Sequence, residues 1–308
     1  MTLWELIDEI PLSSAELVYS VVCPALITLS ILGLARLFPM RGAGWAVPVA
    51  IAVAFAVSYR LINNAAAAFP PASAGDWIFA LALPIGIAGA IPGLFRLAGV
   101  ARMVFAAVVL GATMFCLMQP AAATRNPGEW WLLWALNAGV LIVCFVAADA
   151  AVRNDHTLLS MIGLAGILAG ACLLIQMSGS IKWSLQAGSA VAAGFTSILA
   201  IWLGFPRQAV AGGLVLPLLC LVGGLLAVSI EPLFMYVKVH HALLIASGVP
   251  LLGAARFLRV GPTRPWLGVV IRLGLPCLPV LLALVLAGAQ ALADLRDSGP
   301  SAGDYLED

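Results

Sequence analysis

A chain of 308 residues that is 63% hydrophobic and 9% charged carries more apolar surface than a soluble fold of this length can bury. Its net charge of +1 leaves no field that would gather nucleic acid. Mean hydropathy is +1.09, so lipid is the expected solvent, and in lipid a chain spans as helices of roughly 17–25 apolar residues.

Residues 1–16, MTLWELIDEIPLSSAE, hold four acids and neither Lys nor Arg. A secretory signal begins basic, so this segment is not read as one. Leu3, Trp4, Leu6, Ile7 and Ile10 can share one helical face with Glu5, Asp8 and Glu9 opposite. That pattern predicts a short helix lying in the membrane interface.

Ten uncharged runs follow, at 17–35, 42–59, 77–95, 103–124, 130–148, 157–181, 183–206, 208–230, 242–255 and 273–293. Nine are long enough to cross. The run 242–255 reaches spanning length only with His240, His241, Arg256 and Phe257 in the interfaces. The expectation is an all-α polytopic transmembrane bundle of about ten spans over 17–293, closed by an acidic, disordered tail at 294–308. The breaks, such as FPMRGAG, QPAAATRNPGE and GFPRQ, combine Pro or Gly with polar residues, as turns require. Tryptophans 45, 77, 130, 131, 183, 202 and 266 fall near run ends, where an amphipathic ring prefers to sit.

With ten spans, connections on the side of the termini hold five basic residues and those on the other side hold ten. Basic loops stay in the cytoplasm, so both termini are expected outside the cell membrane, read here as a bacterial inner membrane. The third run contains LALPIGIAGAI and the eighth LVLPLLCLVGGL. This five-run offset is what a five-plus-five inverted repeat requires, with halves at 17–150 and 157–293. Prolines inside runs remove a backbone donor, and a freed carbonyl can serve a ligand where it lines a cavity. In GLAGILAG, Gly163, Gly166 and Gly170 stand at helical spacing on one side, where packing is the default reading.

Polar residues inside the spans are the best pointers to function, because an unpaired polar group in hydrocarbon is costly. Arg60, Asn63 and Asn64 end the second run, Asn137 lies about two turns into the fifth, and Gln176 and Gln186 flank the sixth-to-seventh connection. Glu231 ends the eighth. All face the side of the termini. The expected substrate-binding set is Asn137, Arg60, Glu231, Asn64, Gln176 and Gln186, forming an outer vestibule. The structural alternative makes them interfacial residues and interhelical hydrogen bonds. At the other boundary stand Asp149, Arg153 and Arg272.

The stretch EPLFMYVKVHH, 231–241, is expected to be a solvated connection. His240 and His241 could ligate zinc, but adjacent histidines point differently and the third, His156, lies on the opposite side, so no metal is assigned. Six cysteines sit singly in apolar runs with no CxxC spacing, as buried small residues do. There is no GxSxG, Walker or DxD sequence, and LIASG lacks the glycine of a GxSG pattern. No cofactor, catalytic residue or family is assigned. The leading expectation is a small-solute permease embedded in the bilayer. A non-transporting scaffold or complex subunit is the alternative, and an enzyme acting on lipid-linked substrates a third.

Overall fold

A computed structural model of the chain describes residues 14–37, 43–63, 69–95, 97, 99–153, 157–230, 237–257 and 265–297. These residues form an all-α bundle of ten helices with no strand among them. We number the helices in chain order. Helix α1 runs through Ser14–Leu17, a π-turn at Val18–Val22 and Cys23–Leu37. A 3-10 turn at Ala43–Trp45 leads into α2, Ala46–Asn63. Then come α3 (Ala74–Leu94), α4 (Gly99–Ala122), α5 (Pro127–Val152), α6 (Thr157–Met177) and α7 (Ile181–Leu199). Helix α8 comprises Arg207–Leu218, a π-turn at Leu219–Gly223 and Gly224–Val228. Val239–Ala254 is α9, and Pro265–Asp297 is α10.

Eight of the ten are long and apolar enough to cross a membrane, so the protein is a multi-pass membrane protein. The other two are informative. Helix α9 is short, as the sequence suggested, but it continues through a 3-10 turn at Ala255–Phe257. Helix α7 is long but rich in hydroxyl and amide residues, and it buries Ser184, Gln186, Ser189, Thr196 and Ser197.

Neighbouring ends show that the helices alternate in direction. At one face, Gly89 near the end of α3 and Gly213 near the start of α8 both abut Pro48 at the start of α2. Gly204 after α7 lies against Arg36 at the end of α1, and Gly253 at the end of α9 against Ala147 near the end of α5. The other face holds the start of α1 and the end of α10; we call it the terminal face.

Helix α8 is the axis of the bundle. In its most apolar window 89% of residues are buried, against 17% in α10. An axial helix has no lipid-facing side, which is why its hydrophobicity is continuous rather than striped. Helices α2, α3, α5 and α7 pack around it. Glycine makes the closest approaches possible. A Cβ on Gly213 would stand 2.7 Å from Pro48 Cδ and 2.8 Å from the Gly44 carbonyl; one on Gly86 would stand 2.5 Å from Ala52 Cβ. In membranes, close backbone contact supplies the van der Waals attraction that holds helices together.

Polar side chains add directional ties. The Trp130 indole N–H donates to the Met118 carbonyl and that of Trp134 to the Gly111 carbonyl, each at 3.0 Å, joining α5 to α4. Ser184 donates to the Cys172 carbonyl at 2.9 Å, joining α7 to α6. Pro250 cannot donate to the Ala246 carbonyl four residues back, and the Cys144 thiol of α5 approaches that oxygen at 3.6 Å instead.

Several boundaries differ from the sequence reading. Helix α4 starts at Gly99, where φ is +54°, rather than after Arg102, so Arg102 lies inside the helix. Helix α10 starts at Pro265, so Arg272 lies within it. Residues 1–13 and 298–308 fall outside the described residues; Ser14, Ala15 and Glu16 belong to α1 rather than to a separate interfacial segment. Gly166 does not share the packed side of α6. A Cβ there meets nothing within 4 Å, whereas one on Gly163 meets Leu252 and one on Gly170 meets Val280.

Candidate functional site

The expected polar residues are distributed over separate settings at the terminal face. Asn137 lines a small cavity of about 70 Å³ between α5, α6, α8 and α9, and its amide donates to the Leu133 carbonyl at 2.9 Å on its own helix. Gln176 lines an apolar groove of about 580 Å³ bounded by α1, α6 and α7. Gln186 is buried, and its Oε1 has no hydrogen-bond partner among the described residues. Arg60 is exposed at the end of α2. Asn64 and Glu231 lie outside the described residues. The described members therefore do not meet in one cavity.

The 231–241 stretch is only partly described. Val237 donates to the Ser229 carbonyl at 2.8 Å and is buried, and so is His241. Those two side chains are tucked into the bundle, while Val239 between them is exposed. His240 is exposed and its ring stands edge-on to that of His241, with centroids 4.1 Å apart. No group of three metal-ligating side chains occurs among the described residues.

Charge is instead gathered at the opposite face, in a cavity of about 530 Å³. Its lining includes Gly44 from the turn before α2, Gly89 and Gly93 of α3, Arg102 of α4, Arg153 after α5, and Gln208, Gly212 and Gly213 of α8. A volume of this size suits a small solute. Five of those residues are glycines. Helices of glycine and proline converge here at backbone distance, yet leave space where side chains would otherwise stand. A Cβ on Gly212 would reach no atom nearer than Arg102 Nη1, at 3.7 Å.

Arg102 lies one turn into α4 and is only 6% exposed. Its Nη2 donates to Asp149 Oδ1 at 2.5 Å and to the Gly212 carbonyl at 3.1 Å. Asp149, at 2% exposure, sits one turn before the end of α5. The Arg153 Nε donates to its Oδ1 at 3.1 Å and lies 3.0 Å from its Oδ2. Two guanidinium groups thus share one carboxylate. With both arginines charged and the aspartate ionised, the cluster carries one positive charge in excess. Arg102 Nε is buried with no hydrogen-bond partner among the described residues. An unmatched donor on a buried cation is the costliest kind of polar group to leave unsatisfied.

Two helix starts point at the same space. Gly44 belongs to the turn that opens α2, and Gln208 and Ala209 to the first turn of α8. Helix N-termini carry partial positive charge and unsatisfied N–H groups. Cation, donor and dipole therefore agree in sign.

Sequence reasoning did not find this site. Arg102 reads as a loop arginine, and Asp149 and Arg153 read as boundary charges. The available signals were an Arg and an Asp beside the ends of neighbouring apolar runs, and the Gly212–Gly213 pair opening the most apolar helix. No family model, curated protein or solved structure matches the chain.

Proposed function

We propose that the protein is a small-solute permease and that the Arg102 cavity is where its solute binds on the face opposite the termini. The observation that carries the reading is a glycine-lined space of about 530 Å³, bordered by the buried Arg102, at the start of the axial helix. Helix α8 suits a moving part. It contains Pro217 and a π-turn at Leu219–Gly223, both of which loosen regular helix hydrogen bonding. Gly89 of α3 faces Pro217 of α8 across this region, and these two helices carry the Leu-x-Leu-Pro sequences that an inverted repeat would relate.

Orientation belongs to the same reading. Ten basic residues on the cavity side against five on the terminal side support a cavity toward the cytosol with both termini outside. The protein then sits in a bacterial inner membrane and samples solute from the cytosolic side. The terminal-face set of Asn137, Arg60, Glu231, Asn64, Gln176 and Gln186 would line the path on the far side.

Reconstitution into liposomes of neutral lipid tests the proposal. A panel of radiolabelled small solutes should include one that accumulates in exchange for itself, and Gly212→Val should block that exchange while leaving the folded fraction unchanged. If no solute in a broad panel exchanges and the protein consistently co-purifies with a partner, the scaffold reading replaces this one.

A further inference from the structure

We infer that the Arg102 cavity selects a small oxyanion carrying a single negative charge, as a carboxylate or a phosphodiester does. The inference rests on the permease reading for its purpose but on the cavity itself for its chemistry. Three observations carry it. The cluster of Arg102, Arg153 and Asp149 has one unbalanced positive charge, and no acidic side chain lines the cavity among the described residues. Arg102 is nine-tenths buried and lines the cavity, where its Nη1 lies 3.7 Å from the position a Cβ on Gly212 would take. The first turn of α8 and the turn opening α2 bring two helix N-termini to the same space.

Each alternative ligand charge fails on the same geometry. A cation would meet two guanidinium groups and two positive dipole ends. A neutral solute could accept from Arg102 Nη1 but would leave the cluster's excess charge without a counter-charge. A dianion would overcompensate a cluster with one charge in excess. A monoanionic oxygen accepts a charge-assisted hydrogen bond from Nη1, the guanidinium nitrogen nearest the space over Gly212, and neutralises the site. Asp149 keeps its role as the group that holds both guanidinium groups in place, because its oxygens are already engaged. Arg153, half in solvent, and the exposed Gln208 stand where an arriving anion would first make contact.

The same oxyanion chemistry could belong to a free solute or to the headgroup of an anionic lipid, since the cavity lies at one end of the bundle. The experiment separates the two. Full-length protein in neutral detergent is titrated with sodium dimethyl phosphate, acetate and benzoate at constant ionic strength set by chloride. Parallel titrations use dihexanoyl-phosphatidylglycerol and dihexanoyl-phosphatidylcholine. Binding is read by thermal shift and by isothermal calorimetry. We expect saturable binding of at least one soluble oxyanion. Arg153→Gln should weaken it about tenfold, the factor that about 1.4 kcal/mol represents. Gly212→Val should abolish it by filling the space, and Lys182→Gln, exposed on the terminal face, should leave it unchanged.

Saturation by phosphatidylglycerol alone, lost in Gly212→Val, would keep the oxyanion site and assign it to lipid. No saturable response to any of these anions overturns the inference, as does an unchanged affinity in Gly212→Val. Tight oxyanion binding without exchange in liposomes would remove the permease reading and leave the site standing. Exchange of a neutral or cationic solute only would do the reverse.

Discussion

At the scale of single residues, the buried charges dominate. Asp149 compensates Arg102 inside the bundle, and removing one partner leaves the other unpaired where water is scarce. Asp149→Ala should therefore cost about 3–5 kcal/mol, a large share of a typical stability. Replacing both residues together, Arg102→Met with Asp149→Leu, should recover much of that loss. The apparent unfolding midpoint in detergent distinguishes the two; equal losses would mean that the pair is not what holds α4 to α5. Trp130 offers a smaller test. Trp130→Phe keeps most of the ring but deletes the donor to the Met118 carbonyl, and should cost about 1 kcal/mol. The same change at exposed Trp131 should be close to neutral.

At the scale of helices, two glycines of one motif separate cleanly. A Cβ at Gly170 would fall 2.2 Å from Val280 Cγ1, forcing α6 and α10 apart, whereas Gly166 has open space. Overpacking of this kind costs roughly 1–3 kcal/mol. Gly170→Ala should lower the unfolding midpoint, while Gly166→Ala should hold or raise it, because alanine favours helix by about 1 kcal/mol over glycine. Identical shifts in the two variants would show that α10 yields freely. That is a real alternative for an outer helix, 17% buried across its most apolar window. Helix α10 also has 33 residues, about 50 Å at 1.5 Å per residue, against a hydrocarbon core of about 30 Å. It must tilt or project beyond the core. Arg272, seven residues into it, can then sit at the headgroup level rather than in hydrocarbon.

At the scale of the whole molecule, the bundle has two chemically different ends. One gathers charge around a glycine-lined cavity; the other scatters amides and hydroxyls among separate pockets. The orientation proposed from the basic residues makes a direct prediction. With native cysteines replaced, Gln208→Cys should react with a membrane-impermeant maleimide only in inside-out vesicles, and Arg60→Cys only in intact cells. The reverse pattern would turn the protein over and place the cavity outside.

The solvent, the helical class and nearly all of the spans were legible in the linear sequence. Hydrocarbon admits no unsatisfied backbone, so an uncharged run of sufficient length has little choice but to be a helix. The weak ninth run is a helix, Val239–Ala254, but it is shorter than the eight that are long enough to cross. The proposed orientation comes from the same linear reading, because loop charge is a one-dimensional property. The candidate site was not readable in that way. Arg102 becomes a buried cation only because α4 starts a turn early, α5 brings Asp149 beside it, and the bare glycine face of α8 leaves space against both. Those are distances between helices far apart in sequence. Lipid-facing and protein-facing apolar residues look alike in composition, so no pattern along the chain could say which helix would be the axis. Local backbone chemistry thus determined what the protein is made of, and only the packing of helix against helix decided where its charge would meet an open space.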